Sequence, residues 1–149
     1  MIEYLKLQHI PSLLTFLEEL HEETPTFNVT EDHVWVESQL IRMIGDENHI
    51  MLTVTGDAGE VIAVMFGAVG SQWYSPDLEG YEMLLAVSPR YRGSPVAYRL
   101  INRFVGECKR RHAKTIFAGS SLGIHDERAV ALYERLGFVR HGVGLTKRI

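Results

Sequence analysis

Val87-Ser88-Pro89-Arg90-Tyr91-Arg92-Gly93-Ser94-Pro95-Val96-Ala97-Tyr98-Arg99-Leu100 is the stretch that decides how this chain reads. Just upstream, Met83-Leu84-Leu85-Ala86-Val87 is a continuous apolar run of strand length, and downstream Val96, Leu100, Ile101 and Phe104 recur at helical spacing. The small-residue turn between them therefore lies at a helix N-terminus. There the unpaired N–H groups and the positive end of the dipole suit a diphosphate held mostly by main chain. Arg92 adds a fixed positive charge. Pro95 has no N–H, so one donor is missing, while its fixed φ suits the first position of a helix. The amides of Gly93, Ser94, Val96 and Ala97, with the Ser94 hydroxyl, are the expected anion donors.

A second segment, Asp126-Glu127-Arg128-Ala129-Val130-Ala131-Leu132-Tyr133-Glu134-Arg135-Leu136-Gly137-Phe138, reads as a short helix capped by Asp126 and closed by Gly137. In this order the two segments resemble the motifs of the GNAT superfamily of N-acetyltransferases. Val87, Pro89, Tyr91, Arg92, Gly93 and Ala97 match its Val-x-Pro-x-Tyr-Arg-Gly-x-Gly-x-Gly/Ala pattern. Ala129, Leu132, Tyr133, Gly137 and Phe138 match its Asn-x-x-Ala-x-x-Leu-Tyr-x-x-x-Gly-Phe pattern. Pro95 and Asp126 depart from it, standing where glycine and asparagine are usual. The resemblance covers roughly residues 49–141, and the turn, the Ser-Ser-Leu-Gly-Ile segment and the Leu-Tyr-Glu-Arg-Leu-Gly-Phe ending also look like compact members encoded by tailed bacteriophages.

The resemblance implies an acetyl-CoA-dependent enzyme that transfers acetyl directly to a primary amine of a small molecule or protein, with no metal and no enzyme-bound acyl group. It implies that the strand at Tyr81–Val87 splays from the strand at Thr115–Ser120, leaving backbone groups of Leu85 and Val87 for the pantetheine arm. Arg92, Gly93, Ser94, Val96 and Ala97 would hold the diphosphate, and Asp126 would lie near the cofactor arm. Tyr133 would act as general acid toward the thiolate; its other reading is a core aromatic. Glu82 is the leading general base, one position later than the commonest register, so a strand bulge is needed to turn it toward the site. Glu22, Glu23, His21 or solvent water are the other candidates. The alternative function is a catalytically inactive binding or regulatory protein on the same fold, favoured by Pro95 and Asp126. Members commonly dimerise, so a homodimer is also an expectation.

Composition bounds these readings. A chain of 149 residues suits one domain, taken as 1–149, and 46% hydrophobic with 23% charged residues is the balance of a soluble globular protein. No signal-like N-terminus or membrane-length apolar run is present and Cys108 is the only cysteine, so a cytoplasmic location is expected. The net charge of −4 is unevenly spread. Residues 1–80 hold fourteen Asp/Glu against Lys6 and Arg42, whereas residues 81–149 hold five against thirteen Lys/Arg. A polyanionic cofactor on the basic half and a cationic amine near the acidic half fit that split. With no overall basic excess, nucleic acid is not an expected partner. The scattered histidines show no ligand spacing, so no metal site is expected.

Periodicity predicts a strand at Ile2 to Leu7, helices at Pro11 to Glu22 and Glu31 to Ile44, and a hairpin of His49 to Thr55 with Val61 to Val69. A long loop over Gly70–Asp77 is of the kind that often covers a binding site, and its Trp73 and Tyr74 have three readings: walls of a pocket for an amine, a cap on the core edge, or a contact with a partner subunit. Then come the Tyr81 to Val87 strand, a helix over Ser94 to Arg111, a strand at Thr115 to Ser120 and a helix at Asp126 to Leu136. Strands at Phe138 to His141 and Leu145 to Arg148 complete the order. The fold class is α+β, a mixed and mostly antiparallel sheet flanked by helices in the order βααβββαβαββ.

Overall fold

The structure is a computed structural model that describes residues 1–24, 32–119 and 126–149. Its sheet runs in the order β1 (Ile2–Tyr4), β2 (His49–Thr55), β3 (Val61–Gln72), β4 (Ser75–Val87) and β5 (Thr115–Phe117). Neighbours pair antiparallel except β4 and β5, which are parallel. Helices α1 (Ile10–Glu23) and α2 (His33–Ile44) cover one face; α3 (Val96–Arg110) and α4 (Asp126–Arg135) cover the other. This is the expected α+β architecture, and its element order matches the sequence reading through α4. Pro25, Thr26, Glu31 and the Ser120–Ile124 stretch, on which parts of that reading fell, lie outside the described residues.

Each face has its own apolar layer. Leu13, Phe16 and Leu20 of α1 pack with Leu40 and Met43 of α2 over Met51, Val64, Phe66 and Ala86. On the opposite face Leu100, Ile101, Phe104 and Cys108 of α3 are wholly buried against Ile50, Leu52, Ala63 and Met65. β3 is buried on both faces from Val61 to Val69, which is why it reads as an unbroken apolar run. Two glycines allow α3 to lie this close. A Cβ on Gly67 would sit 2.5 Å from both Phe104 Cζ and the Tyr81 carbonyl oxygen, and one on Gly80 would sit 2.6 Å from Cys108 Sγ. Burial pushes the Cys108 thiol up to about 11, so it is a packing group rather than a nucleophile.

The Gly70–Asp77 segment is not a long loop. β3 and β4 continue as a hairpin to the Gln72–Ser75 pair, and only Trp73 and Tyr74 form the tip, their rings edge to face at 5.5 Å. Polar residues pair as strand here because a register shift between Ser71 and Gln72 takes Pro76 and Asp77 out of the ladder. Trp73 is 94% exposed at the tip, so it walls no pocket in this structure. The last two expected strands are not formed: residues 139–149 carry no regular structure and are exposed. Gly142 and Gly144 weaken strand propensity there, and β5, the edge they would extend, is only three residues long.

The C-terminal end of α3 is tied to β1 by a buried charge. Glu107 receives hydrogen bonds from Arg103, Arg110 and Arg111, and Arg110 also reaches the Tyr4 hydroxyl at 3.0 Å. Burial alone would raise this carboxyl, but hydrogen bonds from Tyr4 and the three arginines outweigh it and hold Glu107 at about 2. A depressed folded-state value gives stability that is complete above the ordinary carboxylate range and is lost as pH falls through it toward 2. The expected loss is on the order of 2 kcal/mol. Urea unfolding between pH 6 and pH 3 should show it, and Glu107→Gln should flatten the slope.

Candidate active site

The α3 N-terminus is built as the sequence implies, with one shift. Pro95 occupies the N-cap rather than the first helical position, at φ −74°, and the helix begins at Val96. Gly93 adopts φ +85°, a left-handed conformation that a side chain would strain, which explains glycine at this point of the turn. Ser88 to Tyr91 fold as a short 3-10 turn, closed by the Tyr91 N–H on the Ser88 carbonyl. Within the turn the Ser94 N–H donates to the Tyr91 carbonyl at 3.3 Å and the Val96 N–H to Ser94 Oγ at 3.4 Å. Both bonds are long, hence weak and open to exchange for an anion. The Ser94 hydroxyl donates to Tyr91 at 2.6 Å, so its proton is engaged.

A groove of about 440 Å3 lies beside this turn, between β4 and α4. Leu85, Val87, Arg92, Gly93, Ser94, Val96 and Ala97 all line it, so seven of the sequence-derived site residues come together. The backbone of β4 explains why it can exist. The Ser88 N–H donates to Ile62, so alternate residues Ala86 and Leu84 turn their main-chain groups toward β3. Those of Leu85 and Val87 point the other way, toward β5. Among the described residues, pairing with β5 ends at Tyr81–Phe117, and none of them pairs with that edge beyond it. One of its acceptors is already used: the Val87 carbonyl takes a hydrogen bond from Arg92 Nε at 3.0 Å.

Glu82 stands where the two strands part, and the required bulge is present. Phe66 pairs with Leu84 but Gly67 pairs with Glu82, leaving Met83 as the extra residue. The alternation is thereby reset, and Glu82 shares the α3 side of the sheet with Leu85 and Val87. Its carboxylate accepts the Gly119 N–H at 3.1 Å. Burial raises its pKa, opposed in part by that hydrogen bond.

Tyr133 lies beneath the groove rather than on its surface. Its side chain is 4% exposed, its ring meets Phe138 edge to face at 5.2 Å, and its hydroxyl is buried with no hydrogen-bond partner among the described residues. Burial, and then the charge of Glu82, hold its proton far more tightly than in a free phenol. A buried orphan hydroxyl costs stability and calls for an external partner. Asp126 opens α4 as its first residue and is absent from the groove lining; Arg128, two positions later, is part of it.

The family model of the Acetyltransferase (GNAT) family matches residues 14–138. The chain belongs to the GNAT acetyltransferase family. It is 35% identical over 80 residues to the spore coat polysaccharide biosynthesis protein SpsD of Bacillus subtilis, a match covering 54% of this chain and 25% of that one. It is 36% identical over 64 residues to N-alpha-acetyltransferase 30 of Schizosaccharomyces pombe, covering 43% of this chain and 41% of that protein. These matches thus span a quarter and about two-fifths of those relatives' lengths. In fold it is similar to an acetyltransferase of Trypanosoma brucei, with TM-score 0.78, 17% identity, and 100% and 99% of the two chains covered.

Two cationic groove residues of this GNAT chain escape sequence reasoning. Arg128 and Arg135 line the groove from α4, seven positions apart and so on one helix face. That spacing was available in the sequence, but nothing there says which face of α4 meets β4. The acidic neighbours on the same helix, Glu127 and Glu134, pair instead with Arg140. Arg92 itself is more committed than expected, since both terminal nitrogens of its guanidinium hold the Glu23 carboxylate. Of the other base candidates, Glu22 is exposed at the end of α1, and Glu23 is taken by Arg92.

Proposed function

We propose that the protein transfers an acetyl group from acetyl-CoA directly to a primary amine. The observation that carries this reading is the open edge of β4 at Leu85 and Val87, running into a groove of about 440 Å3 that ends on the α3 turn. An extended amide-containing arm fits such an edge, because it can continue the ladder that β5 abandons. The turn amides, with Arg128 and Arg135 opposite, suit the phosphates at the arm's other end. When bound, acetyl-CoA supplies a thioester carbonyl and a thiolate leaving group.

Glu82 and Tyr133 divide the proton handling. Burial raises Glu82 above an ordinary carboxylate, against the Gly119 hydrogen bond, and that is the direction that makes a carboxylate a better proton acceptor. Tyr133 keeps its proton and presents a hydroxyl with no hydrogen-bond partner among the described residues, the form a donor needs. The two are electrostatically linked, since negative charge on Glu82 tightens Tyr133's hold. When Glu82 takes a proton from the incoming ammonium that hold relaxes, and Tyr133 becomes the stronger acid as the thiolate departs. The acceptor reading rests on charge: Glu18, Glu19 and Glu22 are exposed on α1, which favours a cationic amine.

The test is amine-dependent release of CoA thiol, with N-acetylated product confirmed by mass, across polyamines, amino sugars and peptide N-termini. Turnover should fall as pH drops through the raised Glu82 value, and Glu82→Gln should remove that limb and lower kcat about a hundredfold. A folded protein that binds acetyl-CoA but acetylates none of these amines contradicts the reading.

A further inference from the structure

Arg92 joins two parts of the molecule that chemistry would assign to different substrates. Its Nη2 meets Glu23 Oε1 at 2.6 Å, its Nη1 meets Glu23 Oε2, and its Nε is held by the Val87 carbonyl at 3.0 Å. Glu23 is the last residue of α1, 69 positions earlier in the chain. Beneath the pair is a small cavity of about 120 Å3, walled by Phe16, Leu20 and Glu23 on one side and Val87, Pro89 and Arg92 on the other. Arg92 lines this cavity and the larger groove alike.

A carboxylate and a phosphate use the same fork of guanidinium donors. While Glu23 occupies that fork it also cancels the charge that would draw an anion to the turn. We propose that Glu23 is a built-in competitor for the donor's diphosphate, setting how tightly the turn holds it. The inference rests on the acetyl-CoA reading above. Donor binding then draws Arg92 from Glu23 and releases the end of α1 from the turn. Glu23 bears on the diphosphate through the guanidinium of Arg92, so it is a positioning residue. The pair is partly solvent-exposed, with side chains 22% and 32% accessible, so the competition is modest and reversible.

The test is calorimetric titration of acetyl-CoA into the 149-residue wild type and the Glu23→Gln, Glu23→Ala, Arg92→Gln and doubly substituted proteins, each shown folded by circular dichroism. Glu23→Gln should bind about three- to fivefold tighter, and Glu23→Ala should change affinity in the same direction. Arg92→Gln should bind about tenfold weaker, and the double variant should match it. A merely structural ion pair would instead lose affinity when Glu23 is removed. Unchanged or weaker binding by both Glu23 variants overturns the proposal, as does a Glu23 effect that survives without Arg92. In those outcomes wild-type binding leaves the acetyl-CoA reading standing. If none of the folded proteins binds acetyl-CoA, that reading falls and the proposal with it.

Discussion

Tyr133→Phe is expected to lower kcat by about a hundred- to ten-thousand-fold while leaving acetyl-CoA affinity within about twofold. The expectation comes from an imbalance in the structure. The ring is packed by Phe138 and the apolar layer under α3 and α4, so phenylalanine preserves every contact that the ring makes. Only the hydroxyl is lost, and it has no hydrogen-bond partner among the described residues. Removing an unpaired buried hydroxyl should leave stability unchanged or raise it by about 1 kcal/mol. A variant that is as stable as the wild type, binds the donor and yet turns over slowly separates a proton donor from a core aromatic. Full activity in Tyr133→Phe removes the role. Steady-state kinetics with urea unfolding of the same preparation measures both quantities.

Gly67→Ala should cost about 3 kcal/mol or more and reduce activity even where the protein still folds. Its new methyl group would meet Phe104 Cζ and the Tyr81 carbonyl oxygen, each at 2.5 Å. The ring belongs to a wholly buried side chain and the carbonyl to the sheet itself, so neither has space to retreat. Relief would come from moving α3 outward or shifting β4 along β3. Gly67 is opposite Glu82, and the bulge that turns Glu82 toward the site begins at this pair. Strain here therefore reaches the base directly. Substitution at half-buried Gly70, where a Cβ would meet nothing within 4 Å, should be close to neutral by the same urea-unfolding and kinetic measurements.

The fold was legible from the chain between Met83 and Phe138 because its signals are local. A small-residue turn after an apolar run, and a tyrosine-bearing helix closed by Gly137 at φ +91°, each work within a dozen residues. The Gly70–Asp77 segment misled because turn-forming residues dominate it, whereas backbone pairing with a register shift decides its structure. At the C-terminus alternation suggested strands, but pairing needs an adjacent edge, and β5 offers three residues.

The site was readable in its membership more than in its electrostatics. Seven residues inferred around the turn and β4 line one groove. Tyr133 and Glu82 lie deeper, and their coupling through charge depends on α4 packing against β4, which no local pattern states. The Met83 bulge was anticipated only as a requirement on Glu82 and has no sequence mark of its own. The bond between Arg92 and Glu23 spans 69 positions and was invisible for the same reason. Arg128 and Arg135, the cations on the α4 side of the groove, became apparent only once that helix was docked.

The most direct measurement is a calorimetric titration of the folded wild-type protein with acetyl-CoA, run beside pantetheine, which shares the arm and lacks the nucleotide. The account predicts micromolar binding of acetyl-CoA and pantetheine binding weaker by at least about a hundredfold, since the turn, Arg128 and Arg135 would then have no phosphate to hold. Equal affinity for the two, or no binding of acetyl-CoA, would contradict it.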